Sequence, residues 1–251
     1  MNQVLEEIIK SGYVKSPSGN LIQVQGNITQ ETGEFLTEII AELKPKVTLE
    51  VGLAYGVSAL FICQELKKYP NTRHIIIDPC QNTIYGGLGL NNLRKAGYQE
   101  IIDFCEQPSQ TFLPQLETLG VKIDFAFIDG WHTFDHTLVD FFYIDKLLNK
   151  GGVVAFDDST WPSVSKVLRF IIKNRSYTVF RCLHNISLPL VRALRARPTA
   201  SFKLARARFE SLGPLFRNVS SFGIGINPTS TCVALKKIAE DNRRGGFHRK
   251  F

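Results

Sequence analysis

An α/β fold is predicted: a Rossmann-like, seven-stranded, mostly parallel sheet with helices on both faces and the last strand antiparallel. Three observations carry the parallel α/β part of this. Short apolar runs alternate with stretches of helical spacing along most of the 251 residues. The run at 74–78, HIIID, is apolar in the way of a strand covered on both faces. The run at 47–51 passes through Gly52 and Gly56 into a helix, and open α/β sheets build their ligand crevice on such units.

Taken in order, residues 2–10 read as a short helix and 13–27, with Pro17, Gly19 and Gly26, as a polar surface segment. Phe35, Leu36, Ile39, Ile40 and Leu43 share one face of a helix from about 29 to 43, which Pro45 ends. The strand at 47–51 leads into a helix reaching about 68, and the strand at 74–78 follows. Gly86, Gly87 and Gly89 turn the chain, or line a pocket, before a helix at 90–96. Strand 101–104, a loop at 106–109 and a helix to about 119 come next. Strand 123–129 exits through Gly130, Trp131 and His132 into a helix at 133–148, with Gly151 and Gly152 expected to end it. Strand 153–158 precedes a helix that Pro162 opens. Strands at 177–182 and 231–236 complete the sheet. The expected organisation is a helical cap at 1–43, a core at 44–182, a basic helical insertion at 183–225, the last core strand at 226–240 and a disordered tail at 241–251.

Composition narrows the class. Hydrophobic residues make up 44%, enough for a large core, and no run approaches the ~18 apolar residues of a membrane span. The start, MNQVLEEIIK, lacks the pattern of a secretory signal. The cysteines, Cys63, Cys80, Cys105, Cys182 and Cys232, have no C-x-x-C pairing. Reduced thiols in a cytoplasm are therefore expected. The net charge of +7 is divided unevenly: residues 1–165 carry 12 Lys/Arg against 20 Asp/Glu, and 166–251 carry 18 against 3. That asymmetry points to an anionic partner for the C-terminal part.

Gly52 and Gly56 let the backbone turn sharply and approach a ligand. The following helix aims its free N–H groups over the turn. Glu50 stands at the strand end, where an acid favours hydroxyls or a cation over phosphate. S-adenosylmethionine (SAM), a nucleoside without phosphates, is thus the better guest. A dinucleotide would want G-x-G-x-x-G, yet Ala54 and Val57 fill the second and third glycine positions. A strand–turn–helix with no ligand is the plain alternative. Asp78 either accepts hydrogen bonds from ribose hydroxyls or caps its strand beside Pro79. Ser109 either bonds the base or caps a helix. Trp131 either stacks on adenine or packs.

Asp129, Asp157 and Asp158 each close a central strand on the edge that holds Glu50 and Asp78. Three carboxylates together repel one another unless a cation or protons intervene, and hard oxygen ligands suit Mg²⁺. The alternative is one capping, one core-facing and one solvated Asp. His132 follows Asp129 by three residues; imidazole titrates near neutrality and can take a proton from a hydroxyl, although a lone His is more often structural.

Together these residues resemble the cation-dependent O-methyltransferases typified by catechol O-methyltransferase, across residues 28–182. EVGLAYGVS is similar to that family's SAM turn. The resemblance implies a cofactor site of Glu50, Gly52, Ala54, Tyr55, Gly56, Ser58, Asp78, Glu106, Ser109, Asp129 and Trp131. Ser58 would hold the methionine carboxylate, and Ser109, in PSQTFLPQL, the adenine. IDGWH and AFDD imply metal ligands Asp129, Asp157 and Asp158 and a general base at His132. The catechol enzymes use Lys at that position, so His132 looks more like the bacterial sugar and macrolide O-methyltransferases. Asp158 is often Asn in the catechol enzymes. The implied partner is a small hydroxylated acceptor.

Residues 189–217 mix Arg192, Arg195, Arg197, Lys203, Arg206, Arg208 and Arg217 with Leu, Val and Phe. They read as a substrate lid, an anionic-surface or nucleic-acid binder, or a solvated face over a hydrophobic seam. Two other classes compete with a small-molecule methyltransferase. One is a methyltransferase that binds nucleic acid, for which the N/D-P-P-Y/F-type motif of amino-methylating enzymes is missing. The other is a metal enzyme of the cephalosporin hydroxylase-like group, for which an obvious 2-His-1-carboxylate set is missing.

Overall fold

The computed structural model describes residues 1–184, 230–245 and 247. It opens with α1 (Gln3–Ser11), a hairpin of β1 (Tyr13–Lys15) and β2 (Leu21–Gln23), and α2 (Gln30–Leu43). Strands and helices then alternate: β3 (Val47–Val51), α3 (Val57–Leu66), β4 (Arg73–Ile77), α4 (Leu88–Lys95), β5 (Ile102–Cys105) and α5 (Ser109–Thr118). β6 (Ile123–Ile128), α6 (Phe134–Leu147), β7 (Leu148–Phe156), α7 (Pro162–Asn174), β8 (Tyr177–His184) and β9 (Ser230–Lys237) follow.

The seven-stranded sheet has the order β5-β4-β3-β6-β7-β9-β8. β3 through β7 run parallel, while β9 lies antiparallel between β7 and the edge strand β8. The expected fold class is therefore what forms, with the antiparallel strand one place in from the edge. Side chains alternate across the sheet. Phe125, Phe127 and Ile76 pack under α1–α4, whereas Ala126, Ile128 and Phe156 pack under α5–α7. Among the described residues no helix is long and apolar enough to cross a membrane.

Two local expectations are corrected. Residues 13–27, expected as a polar surface segment, contain the antiparallel hairpin, with Val14 opposite Ile22. Strands of three residues are too short for alternation to show. Gly151 and Gly152, expected to end a helix, instead lie inside β7. α6 has already ended at Leu147, and the pairing with β6 shifts register between Ile123 and Phe125. A bulge of this kind accommodates Gly151 at φ 88°. The basic stretch 189–217, and the insertion 183–225 beyond His184, lie outside the described residues. Residues 241–245 have no regular secondary structure; Asp241 pairs with Arg175 and with Arg243.

β3 has β4 on one side and β6 on the other, so the connections diverge there and leave a crevice beyond the strand ends. The two strand exits nearly touch: a Cβ on Gly52, at φ 96°, would lie 2.2 Å from the Asp129 carbonyl oxygen. α2 presses on α3 as closely. A Cβ on Gly33 would lie 2.2 Å from the ring of Phe61, which is 2% exposed. Gly33→Ala should gain about 1 kcal/mol in helix propensity but lose more by overpacking, for a net cost of roughly 1–2 kcal/mol. The check is a thermal melt, with a fall of about 2–4 °C per kcal/mol expected; an unchanged midpoint would mean that the helices tolerate the methyl group.

Candidate active site

The turn after β3 is fastened by Asp78, 4% exposed, at the end of β4. Its Oδ2 accepts the N–H groups of Leu53 (3.0 Å) and Ala54 (2.9 Å), and its Oδ1 accepts that of Cys80 (2.7 Å). Gln81, fully buried, donates to the Ala54 carbonyl (2.9 Å) and accepts from Gly89 N–H (3.0 Å), clamping the turn to α4. Ala54 takes positive φ here, at 47°. The question over Gly86, Gly87 and Gly89 resolves structurally. Gly87 is the N-cap of α4, and a Cβ on Gly89 would stand 2.5 Å from the Ala54 carbonyl oxygen.

Above this turn lies a cavity of about 830 Å³, in the upper range of small-molecule sites. Gly52, Ala54, Tyr55, Ser58 and Asp78 line one end. Ser109 and Trp131 line it on the α5–α6 side, and Asp129, His132, Asp157 and Asp158 line it at the exits of β6 and β7. Three expected cofactor residues do not line it. Gly56 serves as the N-cap of α3 at φ 83°. Glu106 is exposed and accepts from the backbone and side-chain amides of Asn82. Glu50, fully buried, points with Thr48 to the α3 face of the sheet, where Oε2 meets His74 Nε2 at 3.1 Å and Oε1 has no partner. His74 Nδ1 is in turn 2.8 Å from Thr48 Oγ1. Strand alternation explains Glu50: the strand end alone does not decide the face.

Sequence reasoning missed several lining residues: Asn27 and Thr29 before α2, Tyr85, Gln110, His136, Trp161 and Thr231. Aromatic content near the motifs was the available signal for Trp161. For Asn27 and Thr231, far away in sequence, there was none.

His132 sits among the carboxylates. Its Nε2 is 3.1 Å from Asp129 Oδ1 and its Nδ1 3.4 Å from Asp158 Oδ2. His132 and Asp158 both hold positive φ, 54° and 47°, and such non-glycine strain concentrates at functional sites. Ser163 Oγ donates to the His132 carbonyl at 2.5 Å and pins the loop to α7. Burial opposes the charged ring, but Asp129, Asp158 and Asp157 outweigh it and raise the His132 pKa. Burial first, and then the negative neighbours, push Asp157 up to about 7. Burial also raises Asp129 to about 6, against the pull of His132. Carboxylates crowded in this way on one side of the cavity are hard oxygen donors, so the set fits a divalent cation in chemistry and charge. In the present arrangement the imidazole faces two of the carboxylates, and among the described residues no three such side chains converge as a ready metal-binding group.

At the other end, Ser109 is the first residue of α5, behind the N-cap Pro108, so it is not itself the cap. Trp131, 67% exposed, stacks on His136 with ring centroids 5.8 Å apart. One turn further on, burial raises Asp140 to about 6.

Comparison with known proteins accords with this geometry. Residues 49–159 match the family model of a methyltransferase domain. The chain is 30% identical over 155 residues to catechol O-methyltransferase B of Danio rerio, covering 60% of this chain and 56% of that one. It is 29% identical over 136 residues to the caffeoyl-CoA O-methyltransferase of Stellaria longipes, covering 51% and 52%. The matches thus span little more than half of either relative. An O-methyltransferase from Bacillus cereus, solved in complex with SAH, shares the fold with a TM-score of 0.58 at 19% identity, over 73% of this chain and 86% of that one. The resemblance to class I SAM-dependent O-methyltransferases therefore holds in sequence and in fold.

The carboxylates have a stability signature. Asp129, Asp140 and Asp157 have folded pKa values above the ordinary 3.8, so the folded state keeps protons that the unfolded chain has lost. Their favourable contribution is complete below pH 3.8 and is lost as the pH rises through about 6 to 7. In EDTA, Asp157→Asn should raise the melting temperature at pH 7.5, with the gain shrinking towards pH 4. Equal melting temperatures for variant and wild type at both pH values would mean that the repulsion is absent.

Proposed function

We propose that this chain is a SAM-dependent O-methyltransferase acting on a hydroxyl of a small molecule, with a divalent cation on Asp129, Asp157 and Asp158 and with His132 as general base. The observation that carries the reading is one cavity with the glycine turn at one end and the His132–carboxylate cluster beside it. Its volume leaves room for a nucleoside and an acceptor together.

Gly52, Ala54 and Ser58 receive the methionine end. Asp78 offers the ribose its Oδ1, which already accepts from Cys80. Ser109 and Trp131 border the adenine. Bound there, SAM supplies a methyl group on a sulfonium to an attacking oxygen. A cation on the three carboxylates would polarise the acceptor hydroxyl and offset the negative charge that raises the His132 pKa. Asp129 holds His132 Nε2–H, and Nδ1, with the longer carboxylate contact, takes the acceptor proton. Trp161, half exposed, stands 5.5 Å from the His132 ring and gives the acceptor a flat wall. Holding both reactants at near-attack distance accounts for most of the rate gain. The relatives' names put catechols and caffeoyl-CoA first among acceptors to screen, followed by sugars and polyketide hydroxyls. The five free cysteines support a reducing, cytoplasmic setting.

Calorimetric titration with S-adenosylhomocysteine, in Mg²⁺ and again in EDTA, tests the scaffold. Micromolar binding in both is expected, and no binding in either would overturn the reading. With an acceptor in hand, His132→Ala should lower kcat by about 100-fold or more and leave S-adenosylhomocysteine affinity within about twofold; unchanged turnover would remove His132 from the mechanism.

A further inference from the structure

Trp131 lies in the connection between β6 and α6, which has no regular secondary structure, and most of its ring is exposed. A large side chain on such a loop samples several orientations, and a ligand that needs one of them bears the cost of fixing it. His136 fixes it beforehand. Its imidazole lies nearly parallel to the indole, with an interplanar angle of 21° and ring centroids 5.8 Å apart, the offset stacking that aromatic pairs favour. His136 belongs to the first turn of α6, and that turn is itself fastened. Thr133 Oγ1 donates to Asp135 Oδ1 at 2.6 Å, and the N–H of the buried Thr137 donates to the Thr133 carbonyl at 3.0 Å. A ring on a firmly held helix thus braces a ring on a loop. Both line the cavity, with Pro108 and Ser109 of the α5 start.

We propose that His136 is a positioning residue for the nucleoside: by stacking on one face of Trp131 it holds the indole where its remaining face and edge meet the adenine. The inference rests on the nucleoside reading above and deepens it. His136 acts here through Trp131, by removing freedom that the ligand would otherwise have to remove. Sites supported from helices are held more precisely than sites left to loops. What the stack asks of position 136 is a flat ring, not a charge or a hydrogen bond. Phenylalanine keeps the flat ring and lacks both nitrogens. Leucine keeps bulk and a good helix propensity but offers no flat face. Alanine removes bulk and ring together. The order of affinities along this series therefore reports the stack itself.

The test is calorimetric titration of the full chain with S-adenosylhomocysteine. His136→Ala and His136→Leu should each weaken binding by about three- to tenfold, the range for immobilising one side chain. His136→Phe should stay within about twofold of the wild type. In a Trp131→Ala background, His136→Ala should add less than about twofold, because the ring it braces is gone. Circular dichroism checks that each variant is folded. Should alanine loosen the helix, the contrast between leucine and phenylalanine decides the matter, since they differ chiefly in the flat ring. Equal affinities for His136→Leu and His136→Phe overturn the inference. So does a His136→Ala loss that is as large without Trp131 as with it, which would mean that His136 acts by direct contact or through the fold. Failure of the wild type to bind S-adenosylhomocysteine at all overturns the nucleoside reading instead, which separates the two failures.

Discussion

The contact on which the site depends is the approach of two strand exits, Gly52 after β3 and Asp129 after β6. There is no room for a side chain at Gly52, because the Asp129 carbonyl occupies it. That closeness brings the turn that would hold a cofactor next to the loop that carries His132. Asp78 fixes the same turn from the opposite side through two backbone N–H groups. A carboxylate accepting several backbone hydrogen bonds is held firmly in place, so the crevice floor is shaped by the chain itself before any ligand arrives.

The central strands and their helices were legible because burial on both faces leaves an apolar record that periodicity detects. β3 was read as 47–51, where it lies, and Thr29 was correctly placed at the start of α2. What escaped notice was short or locally ambiguous. The three-residue strands of the hairpin leave no alternation, and a glycine pair reads as a helix stop whether it ends a helix or sits in a bulge. The site was legible where its residues share a motif: Asp129, Trp131 and His132 lie together on one loop. It was illegible where distance in sequence hides contact, as with Thr231, Asn27 and Gln81. Glu50 shows a subtler limit: a strand-end position names the edge of the sheet, but the parity of the strand decides whether a side chain meets the cavity or the core.

Charge and stability pull against each other at the cavity. Burial and neighbouring carboxylates raise the pKa values of Asp129 and Asp157, and the carboxylates around the imidazole raise that of His132. An ordinary core would not retain such a cluster, since replacing buried charge by apolar groups commonly stabilises a fold. Strain runs the same way: Ala54, His132 and Asp158, all with positive φ, line this cavity. Three of the five non-glycine residues with positive φ among those described thus gather at one cavity, and strain of this kind concentrates at functional sites.

The place of β9 has a consequence for biosynthesis. Among the described residues β8 pairs with β9 alone, and β9 is also the outer neighbour of β7. The chain makes β8 by His184 and does not begin β9 until Ser230, so 45 residues intervene. At about 5–20 residues per second, the nascent sheet waits roughly 2–9 s for its last strand. During that time β7 presents an unpaired apolar edge, the kind that pairs with the wrong neighbour. Ser159, just beyond the carboxylates of β7, donates its N–H to Thr231, and Thr231 lines the cavity. A ribosome-bound or C-terminally shortened chain would thus hold its glycine turn and both carboxylate strands yet lack a closed site, and ligand binding would be gained only as synthesis ends.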